Sequence, residues 1–259
     1  MFADTDPLQV SIRKAAQMIR QARKAVSLTG AGYSTPSGIP DFRSTHSGLW
    51  EHHDPMEVAS LSTFRFHPKK FFDWFRPLAT QIHTALPNAA HFALAQLEKA
   101  GHFVSVVTQN IDGLHQRAGS ERVFEVHGTL TRLVCTHCYT PFPATTYLES
   151  YIYEYIIPLC PHCQHVLKPD VVLFEEQLPF KTWRQAEEAV ENCDLLLIAG
   201  SSLLVFPAAS LPIRALEKGA PLIIINKTPT YLDEKAEVVI HGDLSEVIPR
   251  LALEVLSER

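Results

Sequence analysis

Four times along this chain a short apolar segment stops at glycines or small polar residues. Ala25–Thr29 (AVSLT) runs into Gly30-Ala31-Gly32, and 102–107 (HFVSVV) into Thr108-Gln109-Asn110. Asp194–Ala199 (DLLLIA) runs into Gly200-Ser201-Ser202, and 221–225 (PLIII) into Asn226-Lys227. Apolar runs of this length without polar alternation suit strands buried on both faces, as in a parallel sheet. Helical spacing lies between them. Residues 8–24 put Ile12, Ala15, Ala16, Ile19 and Ala22 on one face, and 88–100 put Ala90, Leu94 and Leu97 inward before a Gly101 stop. Residues 182–191 and 207–218 also read as helices. Asp243 with Glu246 has the form of a capping box, opening a last helix with Leu244, Val247, Ile248, Leu251 and Val255 on one face. Strands alternating with helices predict an α/β fold with its sheet covered on both sides.

The rhythm breaks between about 131 and 170. This stretch holds Cys135-x2-Cys138 and Cys160-x2-Cys163, with Tyr147, Tyr151, Tyr153 and Tyr155 at no clear helical period. Two such pairs can close a tetrahedral thiolate shell around one zinc ion, leaving no position for water, so the metal is expected to be structural. His137 and His162 lie beside the knuckles and could replace a cysteine, but the simpler shell is all sulfur. Cys193 precedes an apolar strand and reads as a small buried hydrophobe. The expected organisation is a large discontinuous domain (8–130 and 170–256) with a small zinc-binding insertion (131–169), which part of 33–85 would join. The region 33–66 is irregular and long for a connection, which suits a functional or a disordered loop.

With 259 residues, 46% of them hydrophobic and 20% charged, the chain can build a core without staples. Its net charge is −5 and no Lys/Arg run exceeds two residues, which disfavours direct nucleic-acid binding. No stretch approaches the roughly 18 apolar residues that span a bilayer, and the acidic start MFADTDPLQV lacks a signal-peptide pattern. A cytoplasmic protein without a membrane partner is expected.

Gly30-x-Gly32 alone is a weak nucleotide signal, since Thr35 stands where a third glycine would complete the dinucleotide fingerprint. The other three polar strand ends strengthen it, because the carboxyl ends of an open α/β sheet line its ligand crevice.

Taken together, GAGYSTPSGIPDFRS (30–44), TQNIDGLHQRAG (108–119), VHG (126–128), both cysteine pairs, KPDVVLF (168–174), GSSLLVFPA (200–208) and IN (225–226) resemble the sirtuin family of NAD-dependent protein deacylases. The motifs stand in family order and cover about residues 10–250. The resemblance implies a Rossmann-like domain with a small zinc-binding domain, NAD as co-substrate, one structural Zn2+ and an acyl-lysine protein or peptide as partner. Gly30, Ala31, Gly32 and Ser34 would form the phosphate-binding turn. Pro40, Asp41, Phe42 and Arg43 would belong to a cofactor loop, with Phe42 shielding the reaction centre. Gln109, Asn110 and Asp112 would hold the nicotinamide and its ribose; Gly200, Ser201, Ser202, Asn226, Lys227 and Leu244 would address the adenosine half. His127 would be the catalytic base, with Asn110 beside it. The peptide would add a strand between 172–176 and 204–207, touching Val172, Leu173, Phe174 and Val205, with the Val172 carbonyl accepting the substrate amide hydrogen.

The chemistry agrees with those residue types. Cleaving the nicotinamide–ribose bond leaves a cation-like sugar, which a weak amide-oxygen nucleophile captures only if held in line and kept dry. The ribose hydroxyl that reacts next needs a base near neutrality, and an unperturbed histidine sits at about 6.5. Three departures stand out. Tyr33 replaces a common aliphatic residue and is expected to alter packing near the loop. Glu175 replaces a glycine in the substrate-pairing strand, where it would disfavour acidic peptides or point to solvent. The Tyr-x-x-Arg of succinyl- and malonyl-lysine specialists is not clear in the matching stretch, Phe71 to Arg76 (FFDWFR). Arg76 could be that cation only in a shifted register, and an apolar acyl pocket is expected to favour acetyl or longer fatty acyl groups over dicarboxylates. Two alternatives stay open: transfer of ADP-ribose to a protein nucleophile, and a non-catalytic NAD- or ADP-ribose-binding module.

Overall fold

The computed structural model describes residues 6–41 and 53–257. The chain opens with α1 (Pro7–Gln21) and β1 (Ala25–Thr29), followed by the short helices α2 (Pro55–Val58) and α3 (Leu61–Phe66) and the long α4 (Pro68–Thr84). Next come α5 (Ala89–Lys99), β2 (Phe103–Thr108), α6 (Leu114–Arg117), β3 (Val123–Glu125), β4 (Gly128–Cys135) and β5 (Pro141–Pro143). The rest comprises α7 (Thr145–Tyr153), β6 (Leu167–Val171), α8 (Phe180–Glu191), β7 (Leu195–Ala199), α9 (Leu211–Glu217), β8 (Leu222–Asn226), β9 (Val238–His241) and α10 (Leu244–Ser257).

The apolar segments do form a parallel sheet. The described residues make a six-stranded sheet in the order β3-β2-β1-β7-β8-β9, every neighbouring pair parallel. Its residues alternate between two cores. Leu195, Leu197 and Ala199 of β7 face the layer that includes Ile12, Leu94 and Leu251, while Leu196 and Ile198 face the layer that includes Val190, Leu211 and Ala215. Both faces being covered explains why these strands carry no polar alternation. Strand order reverses between β1 and β7, so a crevice opens at their carboxyl ends.

A second sheet, antiparallel in the order β5-β4-β6, spans the interrupted region. Leu133, Cys135, Ala144, Cys160 and Leu167 pack as its small core. A further cluster joins α4 to α7: Phe71, Phe72 and Phe75 meet Tyr151 and Ile152, and the Tyr151 hydroxyl donates to the Phe72 carbonyl at 2.6 Å.

Several boundaries differ from the sequence expectation for local reasons. Helix α1 ends at Gln21, with Ala22 as its extended cap. The helix expected over 207–218 is regular only from Leu211; Ala208–Ser210 is a 3-10 turn, and Pro212 sits in the first turn of α9, where its missing N–H costs nothing. Asp243 does cap α10, but through the Ser245 N–H (2.9 Å) and hydroxyl (2.6 Å). A capping box does form at α5, where His91 fills the position usually held by Glu or Gln. Helix α7 lies where no helical period was legible, because only Tyr151 and Ile152 are buried while Tyr153 is exposed. No helix of the described residues is long and apolar enough to cross a membrane.

Beneath the crevice, Tyr33, His91 and His115 form a buried ring cluster with centroids 4.9 Å apart. The Tyr33 hydroxyl donates to the Ala90 carbonyl at 2.9 Å, so this departure from the family pattern reinforces the core. Burial holds the His91 imidazole down at about 4; burial, with His91 as neighbour, holds His115 well below the ordinary value. The unfolded chain protonates both near 6.5. Their contribution to stability is therefore level above that pH and is lost towards pH 4, at about 1.4 kcal/mol per pH unit for each histidine. Glu125 works in the opposite sense: burial raises its carboxyl to about 7, so the folded state takes up that proton before the unfolded one. Glu125→Gln is therefore expected to steepen the acid loss of stability by about 1.4 kcal/mol per pH unit between pH 7 and 4.5. Urea unfolding at a series of pH values checks this, and a wild-type slope in the variant would contradict it.

Candidate active site

At the switch point the backbones of β1 and β7 come too close for side chains. A Cβ on Gly30 would lie 2.8 Å from the Gly200 carbonyl oxygen, and one on Gly200 would lie 2.5 Å from the Tyr33 nitrogen. Gly200 also has φ +66°, a conformation that glycine adopts at no steric cost. Gly32 N–H donates to the Gly200 carbonyl at 2.9 Å, Gln109 N–H to Thr29 at 3.0 Å and Gly200 N–H to Ile225 at 3.0 Å. These bonds tie the exits of β1, β2, β7 and β8 into one floor.

Polar side chains rise from that floor in a connected set. Asn110 Nδ2 donates to Ser34 Oγ at 3.0 Å, and Ser34 Oγ donates to Asp112 Oδ2 at 2.7 Å. Asp112 Oδ1 also accepts the Leu114 N–H at 2.9 Å. All three side chains are buried, and burial raises the Asp112 carboxyl above its ordinary range, partly offset by these hydrogen bonds. Gln109 Nε2 donates to Ser201 Oγ at 2.9 Å. On the far side, Lys227 pairs with Asp243 at 2.9 Å, and hydrogen bonds from Ser245 and Lys227 pull the Asp243 carboxyl down to about 2. Asn226 Nδ2 donates to the Thr228 carbonyl at 2.8 Å, and Leu244 is buried beside Gly200.

His127 stands where the chain passes from the large sheet to the small one. Val126 N–H donates to the Thr108 carbonyl at 3.0 Å, and the His127 carbonyl accepts from Val172 N–H at 2.8 Å. Its Nδ1 lies 3.1 Å from the Gln109 carbonyl oxygen, which can only accept, so the proton sits on Nδ1. In the neutral ring the basic lone pair is then on Nε2, the arrangement a general base needs. Gly128 is obligatory: it has φ +81°, and a Cβ there would lie 2.1 Å from the Asp170 carbonyl oxygen.

One cleft of about 1020 Å³ collects these groups. Gly30, Ala31, Gly32, Ser34, Pro40, Asp41, Gln109, Asn110, Asp112 and His127 line it, with Gly200, Ser201, Ser202, Asn226, Lys227 and Leu244, and with Val172, Leu173, Phe174 and Val205 at the peptide side. Phe42 and Arg43 lie outside the described residues. The apolar acyl pocket expected at Phe71 to Arg76 extends further along α4 than the sequence reading placed it: Phe71, Phe75, Leu78 and Ile82 recur at helical spacing and all line the cleft. That spacing was the available signal. Arg76 is not among the lining residues; its guanidinium lies 4.1 Å from the Tyr155 ring centroid, and its Nε donates to the Tyr151 carbonyl at 3.2 Å. Glu175 is exposed at the edge of the cleft, as the solvent reading expects, and its carboxylate also accepts from the Ser62 N–H at 2.8 Å.

The four paired cysteines converge away from the cleft, with all four sulfurs within 4.8 Å of one another. Cys135 and Cys163 sulfurs are 3.4 Å apart, and Cys138 and Cys160 sulfurs 3.6 Å. Disulfide sulfurs lie at about 2.05 Å, whereas a zinc tetrahedron has edges of about 3.8 Å. The N–H groups of His137 and Cys138 both donate to Cys135 Sγ at 3.4 Å, as suits a thiolate. The donor set fits structural zinc. His137 stacks on His165 and His162 packs beside Phe142, both apart from the sulfur cluster. Cys193 lies buried, its thiol pushed up to about 11 mainly by burial.

The model of the Sir2 family matches residues 30–207. This chain belongs to the Sir2 family. The sirtuin is 43% identical to the NAD-dependent protein deacylase 2 of Archaeoglobus fulgidus over 249 residues, covering 96% of this chain and 97% of that protein. It is 40% identical to the NAD-dependent protein deacylase of Pseudomonas putida over 246 residues, covering 93% of each. A solved Sir2 enzyme with 43% identity superposes with a TM-score of 0.89, covering 97% of this chain and all of that one. A Sir2–p53 peptide–NAD+ complex, 36% identical, gives 0.85 and covers 94% and 98%.

The sulfur geometry generates a prediction. Purified protein is expected to carry about one zinc per chain, and Cys160→Ala to lose it together with the near-ultraviolet dichroism of the small module. Elemental analysis and dichroism check this; a metal-free protein of unchanged fold would contradict it.

Proposed function

We propose that this sirtuin removes acyl groups from protein lysines with NAD as co-substrate, releasing nicotinamide and O-acyl-ADP-ribose. The observation that carries the reading is the His127 imidazole, held in the base-competent tautomer on the same cleft as the Ser34–Asn110–Asp112 set. The names of its relatives support it, as does the likeness to a structure holding both a peptide and NAD+. When bound, NAD supplies an electrophilic ribose carbon by loss of nicotinamide.

The chain's own residues do the rest. Gly30, Ala31, Gly32 and Ser34 offer a turn whose backbone the dinucleotide's phosphates can approach closely, with Pro40 and Asp41 at its edge. Asn110, Asp112 and Gln109 hold the nicotinamide end; Ser201, Ser202, Asn226, Lys227 and Leu244 receive the adenosine end. His127 accepts the proton of a ribose hydroxyl on Nε2 while Gln109 fixes Nδ1. An acyl-lysine peptide adds a strand between 172–176 and 204–207. The acyl end meets the apolar face of α4, which favours acetyl or longer aliphatic groups. Among the described residues lining the cleft the one lysine or arginine is Lys227, already paired with Asp243, so a dicarboxylate finds no counter-charge there. We divide the chain as 8–130 and 170–256 around the zinc module 131–169, with part of 33–85 joined to it. A cytoplasmic setting suits thiolates kept for metal.

His127→Ala is expected to lower turnover by about 100-fold or more while zinc content and dichroism stay at wild-type values. NAD labelled in the adenylate and incubated with an acetyl-lysine peptide is expected to put its label into a small acylated nucleotide. Full activity in the variant would remove His127 from the chemistry, and label retained on protein would point to ADP-ribose transfer.

A further inference from the structure

The segment after β6 carries a residue that its backbone does not favour. The Leu173 carbonyl accepts from the Glu176 N–H at 3.1 Å, closing a four-residue turn whose third residue, Glu175, has φ +72°. A positive φ at that position belongs to a type II turn, where glycine or asparagine is usual because a Cβ crowds the backbone.

The rest of the turn is anchored. Glu176 Oε2 accepts from the Leu173 N–H and from Lys168 Nζ, each at 2.9 Å. Phe174 N–H donates to the Ala59 carbonyl, and the Phe174 carbonyl accepts from Leu61 N–H, both at 3.0 Å. One edge of the segment is thus paired with the chain entering α3. The Glu175 side chain extends that pairing. One carboxylate oxygen accepts the Ser62 N–H at 2.8 Å and the other accepts the Ser62 hydroxyl at 3.1 Å. Ser62 lies in the first turn of α3, where the helix leaves its own N–H groups unpaired.

We propose that Glu175 is a positioning residue for the acyl-lysine peptide: by tying the left-handed corner of this turn to Ser62, it holds 172–176 in the shape that pairs with substrate before substrate arrives. The inference rests on the reading that the peptide adds a strand to this segment. Glycine reaches the same φ without strain, but it also samples the right-handed side and leaves the Ser62 N–H without its Glu175 acceptor. The corner must then be ordered at the moment of binding, and that cost appears in peptide affinity. The chemical step joins the acyl oxygen of the bound peptide to the ribose, a bond in which Glu175 takes no part, so it is untouched once the peptide is seated.

Steady-state kinetics of the full chain with NAD and an acetyl-lysine peptide, with hydrogen–deuterium exchange on the same proteins, test the proposal. Glu175→Gly is expected to raise the peptide KM about tenfold, with kcat and the KM for NAD at wild-type values and faster exchange at the Ser62 amide. Glu175→Asn tolerates the left-handed corner but is one methylene shorter, and is expected to show the same rise. Glu175→Gln keeps an acceptor for the Ser62 N–H and is expected to retain a peptide KM near wild type. A wild-type peptide KM in both Glu175→Gly and Glu175→Asn overturns the proposal, as does a fall in kcat with KM unchanged. Failure of the parent reading looks different: the wild-type chain itself then shows no NAD-dependent turnover of the peptide, and the proposal falls with it.

Discussion

Everything in the cleft depends on two backbones touching where the order of strands reverses. With no Cβ on Gly30, Gly32 or Gly200, the turn after β1 lies directly against the exit of β7, and an N–H···O bond forms across the gap. A methyl group at Gly200 would force the strands apart, because the nearest atoms it meets, Tyr33 N at 2.5 Å and Gly32 C at 2.7 Å, are backbone with nowhere to rotate. That contact sets the height of the floor from which Ser34 reaches Asn110 and Asp112, and Gln109 reaches Ser201. A weak glycine motif is therefore structurally required here, and the same geometry leaves room for a ligand's phosphates.

The second dependency is mechanical. Strand β4 begins at Gly128, beside the imidazole, and ends at Cys135 in the sulfur cluster; β6 returns from Leu167 to Val171, beside the residue that holds the His127 carbonyl. A closed thiolate shell contributes no open coordination position, yet it fixes the far ends of the two strands whose near ends frame the reacting groups. A zinc held there would bear on the chemistry through geometry alone.

Much of the fold was legible in the sequence because its strands are buried on both faces and its helices carry single apolar stripes. The four polar strand ends were readable for the same reason, since apolar runs stop abruptly where the crevice opens. The less legible parts owe their structure to tertiary partners. Helix α7 shows no stripe because it buries only Tyr151 and Ile152 against α4. His91 acts as a capping residue only because a buried pocket keeps its ring neutral. The apolar wall of the cleft begins in the aromatic run Phe71 to Arg76, and its spacing at 71, 75, 78 and 82 marks a helix face. Glu175 shows the limit of reading one position at a time: its carboxylate is explained only by Ser62, which lies 113 residues earlier in the chain.

The most direct measurement is a crystal structure of the chain soaked with a non-cleavable NAD analogue and an acyl-lysine peptide. The account predicts both ligands in the one cleft, the acyl oxygen facing the ribose, and His127 Nε2 within hydrogen-bond reach of a ribose hydroxyl. Ligands lodged in separate pockets, with the imidazole remote from the sugar, would contradict it.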